Sequence, residues 1–73
     1  LDTTARANMG TVLLKAGVYA KAEEQFRAIL AVTRDDAAAE VGLAAALRGG
    51  SDGKPGPKLD EARAILAFAA RSV

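Results

Sequence analysis

The stretch Met9–Phe26, MGTVLLKAGVYAKAEEQF, decides how this chain folds. Its order of large and small residues recurs further along. Met9, Gly10 and Leu13 are matched by Leu43, Ala44 and Leu47 at an offset of 34. Tyr19, Ala22 and Phe26 are matched by Leu59, Ala62 and Leu66 at an offset of 40. The six extra residues fall between Gly49 and Lys58, the most turn-rich part of the chain. A period of about 34 residues is the mark of stacked helical hairpins, which cannot bury their apolar faces alone. The expected fold is all-α: two antiparallel helical hairpins, four helices, in one domain spanning 1–73. Such a domain holds another molecule; the pattern does not say which.

Local signals place the helices. A first helix is expected over Thr3–Ala16, capped by Asp2 or Thr3, with Gly17 positioned for a left-handed C-terminal residue. A second is expected over Tyr19–Thr33, where Tyr19, Ala22, Phe26, Ile29 and Leu30 follow i, i+3, i+4 spacing. Its other face carries Lys21, Glu23, Glu24 and Arg27, with Glu23 and Arg27 at the favourable i, i+4 spacing. Asp35 or Asp36 caps a third helix over Asp36–Arg48. The fourth spans Leu59–Arg71, its positive end complemented by Asp60 and Glu61. Between the last two lies GGSDGKPGPK, with four Gly and both Pro of the chain. Proline removes a donor and disfavours helix just before it, so this whole segment is expected to be non-helical. Such an insertion can carry function, but tolerated surface slack is its plainer reading, because lengthening a loop costs only about tenths of a kcal/mol.

Composition bounds what the domain can be. Apolar residues make up 51 %, much of it alanine, with two Phe, one Tyr and no Trp. Alanine favours helix and close backbone approach but buries little area. A core of Met9, Leu13, Phe26, Ile29, Leu30, Leu43, Leu47 and Leu66 is thin for 73 residues. The expectation is an excerpt of a longer array or a domain supported by self-association. Ten Lys and Arg against nine Asp and Glu give a formal charge of +1 without a like-charge block. A nucleic-acid partner needs a basic stripe, so none is expected. No apolar run approaches the roughly 18 residues that span a bilayer, so this segment is not expected to insert in a membrane. The Ala, Gly and Arg-rich composition points to a bacterial genome of high GC content.

These residues resemble the tetratricopeptide repeat, a 34-residue helix–turn–helix unit. In family order the key positions are Met9, Gly10 and Leu13, then Gly17-Val18-Tyr19 at the turn, then Ala22, Phe26 and Ile29. Repeat one covers about 3–36. Repeat two covers about 37–73, where LDEA at Leu59–Ala62 resembles the start of the family's second helix. Arg6 and Glu40 replace the usual bulky residue early in the first helix, and Arg34 replaces the closing proline. The resemblance implies a right-handed α-α superhelix (a solenoid) and a non-enzymatic scaffold that binds a protein or peptide partner. The partner would lie in a groove lined by the first helix of each repeat. Carried over by position, that groove holds Thr4, Ala7, Asn8, Thr11, Leu14 and Lys15, then Ala38, Val41, Gly42, Ala45 and Arg48. Some members grip a chaperone's C-terminal carboxylate with a Lys and an Asn. Here Ala7, Thr11 and Gly42 stand at those positions, so a chaperone tail is not the expected ligand. Lys15 and Arg48 could anchor an acidic or C-terminal group, or simply offset the negative ends of their helices for under about 1 kcal/mol each.

The alternative is a structural segment that stacks on neighbouring repeats or self-associates as a homo-oligomer. Its expected contacts are Ile65 and Phe68, which match Gln25 and Ala28 and should face away from the core. Two large apolar residues there suggest a missing neighbour, or else a small rotation of the fourth helix that buries Phe68 internally. Catalysis is not expected. The chain has no His and no Cys, hence no imidazole base, no thiolate and few zinc ligands. Ser51 and Ser72 have no histidine to activate them. GGSDGKPG fails as a phosphate loop: Arg48 stands where its first Gly belongs, and Pro55 replaces the Ser or Thr. No cofactor and no metal are expected.

Overall fold

Asp2 fixes where the first helix begins: its Oδ1 accepts the Ala5 N–H at 2.7 Å. Asp36 does the same for the third, accepting the Ala39 N–H at 3.0 Å. Each side chain satisfies one of the N–H groups a helix start leaves unpaired. Four helices result: α1 (Thr3–Lys15), α2 (Tyr19–Val32), α3 (Ala37–Gly50) and α4 (Pro57–Arg71). The computed structural model describes residues 2–71, and Ser72 lies outside them.

The turn after α1 is a Schellman motif. The Val18 N–H reaches the Leu13 carbonyl at 2.9 Å, and the Gly17 N–H reaches that of Leu14 at 3.1 Å. Gly17 takes φ +77°, a conformation that suits glycine. Connections this short make sequence neighbours pack antiparallel. α1 packs on α2, α2 on α3 and α3 on α4, and α1 also touches α3.

At the centre sits Phe26, 3 % exposed. A Cβ added at Gly10 of α1 would lie 2.7 Å from its ring, and one at Gly42 of α3 would lie 2.4 Å away. One ring is thus clasped between two backbones from different hairpins, so a side chain at either glycine would force the ring or a helix to shift. Ala22, Ile29, Ala39, Leu43, Ala44, Ala46, Leu47 and Ala62 complete the buried core. Leu13, Leu30 and Leu66 pack against it half-buried. Met9, expected inside, is 43 % exposed. It lies one residue from Gly10, off the face that α2 covers. Ile65, expected outside, packs half-buried against the core instead. It stands three residues after the fully buried Ala62, which turns it toward α3.

The Gly/Pro-rich segment is shorter as a loop than its composition suggests. α3 continues through Gly49 and Gly50, and α4 begins at Pro57, leaving only 51–56 outside helices. Gly49 lies in the last turn of α3, where the lack of a Cβ leaves room for the Tyr19 ring to rest against the helix. Pro57 occupies the first helical position, where the missing N–H costs nothing and the fixed φ fits. Asp52 and Gly53 turn the chain at φ 54° and 74°.

Candidate functional site

Helix order builds two layers. α1 and α3 lie side by side in one, and α2 and α4 form the other, without close backbone approach between α2 and α4 among the described residues. The face of the first layer is lined by stripes one helical turn apart. On α1 these are Thr4, Asn8, Thr11 and Lys15; on α3 they are Ala38, Val41, Ala45 and Arg48. All eight are exposed. Val41, at 52 %, is the largest apolar side chain among them.

Three positions carried over from the repeat alignment behave differently. Ala7 and Leu14 pack half-buried against the core, because they stand three and four residues from Gly10 and share its face. Gly42 is buried under the Phe26 ring and offers nothing to a ligand. Thr11 is exposed, but its hydroxyl donates to the Ala7 carbonyl at 2.9 Å. That satisfies its proton within its own helix and leaves the oxygen lone pairs free to accept.

At the C-terminal end of α3 the face deepens into an open depression of about 410 Å³. Ala45, Arg48, Gly49, Ser51, Gly53 and Leu59 line it. Two of these, Ala45 and Arg48, were legible as groove positions; the others come from the connector and from α4. The connector is pinned there: the Ser51 N–H reaches the Leu47 carbonyl at 2.9 Å, and its hydroxyl donates to the Arg48 carbonyl at 2.7 Å. Lys58 joins Arg48 at this end, its ammonium 3.3 Å from where a Gly50 Cβ would sit. Two cations by the last carbonyls of α3 complement its negative dipole end, and the same field favours an anion on a ligand.

The other layer is tied by charge. Arg27 Nε donates to Glu23 at 2.8 Å on its own helix, and its Nη2 reaches both carboxylate oxygens of Glu61 on α4 at 2.9 Å. The Glu23 hydrogen bond, partly opposed by desolvation and reinforced by Glu61, raises the affinity of the Arg27 guanidinium for its proton. The i, i+4 pair was legible in the sequence; the cross-helix partner was not, since it depends on how the hairpins stack. Arg6 adds a long contact to Gln25, at 3.4 Å. Phe68 is 55 % exposed.

Among the described residues no three or more Asp, Glu, His or Cys side chains gather as a metal site. No described helix is long and apolar enough to cross a membrane. Compared with known proteins, the chain matches no family model, no curated protein and no solved structure.

Proposed function

We propose that this chain is a protein-interaction module of tetratricopeptide type, without catalysis of its own, that binds a partner segment across α1 and α3. The observation that supports this most is the exposed double stripe on two touching helices, ending in the depression beside Arg48. Its chemistry suits an extended peptide with small apolar side chains along Val41 and Ala45 and an acidic or C-terminal carboxylate near Arg48. The absence of His and Cys in the sequence argues against the commonest catalytic groups.

A peptide library scanned by fluorescence polarisation, with free and amidated C-termini, tests this reading. Ligands should weaken on the order of tenfold with Arg48→Glu, and less with Lys15→Glu, as expected for loss of a charge-assisted contact. Ligands that bind wild type and both variants equally would remove the groove reading. A second reading, a structural segment that stacks or self-associates without its own ligand, is favoured by the exposed Phe68.

A further inference from the structure

The connector between α3 and α4 holds the one Asp-Gly step of the chain, Asp52–Gly53. The other four aspartates precede Thr3, Asp36, Ala37 and Glu61, whose side chains crowd the backbone nitrogen that follows. Asp52 and Gly53 are both exposed, and a Cβ built at Gly53 would meet nothing within 4 Å. The N–H groups on either side of Gly53 are engaged. That of Asp52 donates to the Gly49 carbonyl at 3.2 Å, and that of Lys54 to the Ser51 carbonyl at 3.0 Å. Between them, the Gly53 N–H donates to none of the described residues. The carboxylates of Asp2 and Asp36 are tied to helix N–H groups, whereas that of Asp52 accepts no hydrogen bond among the described residues. Asp52 also stands at φ 54°, in the left-handed region uncommon for a residue with a side chain.

A free carboxyl group and an unpartnered backbone nitrogen are thus adjacent, unhindered and open to water. We propose that Asp52–Gly53 is a self-modification site, at which the chain converts Asp52 to isoaspartate through a succinimide. The Gly53 nitrogen attacks Cγ of the protonated Asp52 carboxyl. The N–Cγ bond forms, a Cγ–O bond breaks, and the hydroxyl leaves with the amide proton as water. Gly53 N and the Asp52 atoms C, Cα, Cβ and Cγ make the five-membered ring, closed by groups already held together. Water then adds at either ring carbonyl. Attack at Cγ restores Asp52, while attack at the main-chain carbon leaves the backbone running through Cβ and Cγ. Isoaspartate lengthens the main chain by one methylene inside the turn closed by Lys54 and Ser51. Ser51 and Gly53 line the depression beside Arg48, so its wall changes, while the sealed Leu47 and Ala62 keep α3 and α4 in place. The conversion needs no ligand, so its test and that of the groove fail independently.

Incubating the full chain at neutral pH and body temperature, followed by tryptic mapping, tests this. The linkage lies in the peptide 49–58, because trypsin passes over Lys54 before Pro55. Electron-transfer fragmentation and labelling by an isoaspartyl methyltransferase should show isoaspartate accumulating at position 52 and at none of the other four aspartates. A transient species lighter by one water should precede it. Asp52→Glu sets the carboxyl carbon one methylene further away and should slow the conversion about a hundredfold, as a misplacement of about 1 Å can. Asp52→Asn should convert faster than wild type and release ammonia. Far-UV circular dichroism checks that both variants, and the converted chain, keep their helices. The isolated 49–58 peptide supplies the rate without the fold. A folded chain that converts at a rate of the same order supports the proposal. A chain that keeps Asp52 intact while the free peptide converts overturns it, since the turn would then protect the linkage. So does a converted chain that loses its helices, because the change would not be confined to the wall of the depression.

Discussion

α1 and α3 have nearly the same pattern of small and large residues, yet α3 buries seven residues and α1 only Gly10. Leu43 and Leu47 are sealed, while their counterparts Met9 and Leu13 are exposed and half-buried. The difference is one of place: α3 has α2 on one side and α4 on the other, whereas α1 is packed by α2 and only grazes α3. Local sequence makes each helix, but burial in a stack comes from the neighbours. Stability should therefore concentrate around α3.

The largest test removes the ring that both helices share. Phe26→Ala should cost about 3–5 kcal/mol, and a domain of this size has little more to lose. Far-UV circular dichroism should show a largely unfolded chain at ambient temperature. If the variant stays helical with an unchanged denaturation midpoint, Phe26 does not join the two hairpins.

Substituting equivalent leucines sharpens the contrast. Leu47, 1 % exposed, should lose about 2–5 kcal/mol on change to Ala, the range for a sealed leucine. Half-buried Leu13 should lose about 1–2 kcal/mol, since its site is already partly hydrated. Urea denaturation of the pair checks the order, and equal losses would mean that α1 is as well embedded as α3. Glycines give a finer comparison. Changing a helical Gly to Ala gains about 1 kcal/mol in propensity, while overpacking costs about 1–3 kcal/mol. At Gly42, where the added Cβ comes within 2.4 Å of the ring, the clash should win. At Gly10 the approach is 2.7 Å and the partly open α1 can shift, so the two effects should nearly cancel. Thermal midpoints decide: Gly10→Ala destabilising as much as Gly42→Ala would mean α1 cannot yield.

Much of this was written in the sequence, because helix periodicity and Asp caps act over a few residues. Asp2, Asp36 and Gly17 announce their turns, and the 34-residue match announces the hairpins. The connector is shorter than its composition suggests because Gly and Pro do more than break helices. Gly49 sits inside α3, where its missing Cβ admits the Tyr19 ring, a tertiary contact, and Pro57 opens α4 at the first helical position, where its missing N–H costs nothing. Met9 and Ile65 exchanged their expected surroundings through tertiary placement. Helical spacing indicates which residues share a face, but a neighbour decides which face is covered. The exposed stripes of the candidate groove were accessible to that spacing. The depression was not, since it needs the left-handed turn at Asp52 and Gly53 to fold the connector back onto α3.

The smallest expected effect concerns the layer of α2 and α4, which is joined across a gap in the backbone packing by Arg27 and Glu61. If burial near α3 is what holds the hairpins together, this bridge should add little. The side chains are 44 % and 42 % exposed, so water and salt screen the pair and its worth is about 0.2–1 kcal/mol. Glu61→Gln should lower the denaturation midpoint slightly at low salt, with the difference vanishing near about 1 M salt. Glu23→Gln should do less, because its partner lies on the same helix and the pair fixes no tertiary contact. A loss of several kcal/mol at Glu61 that persists in high salt would invert the ranking. The stack would then depend on a surface ion pair more than on the residues sealed around α3.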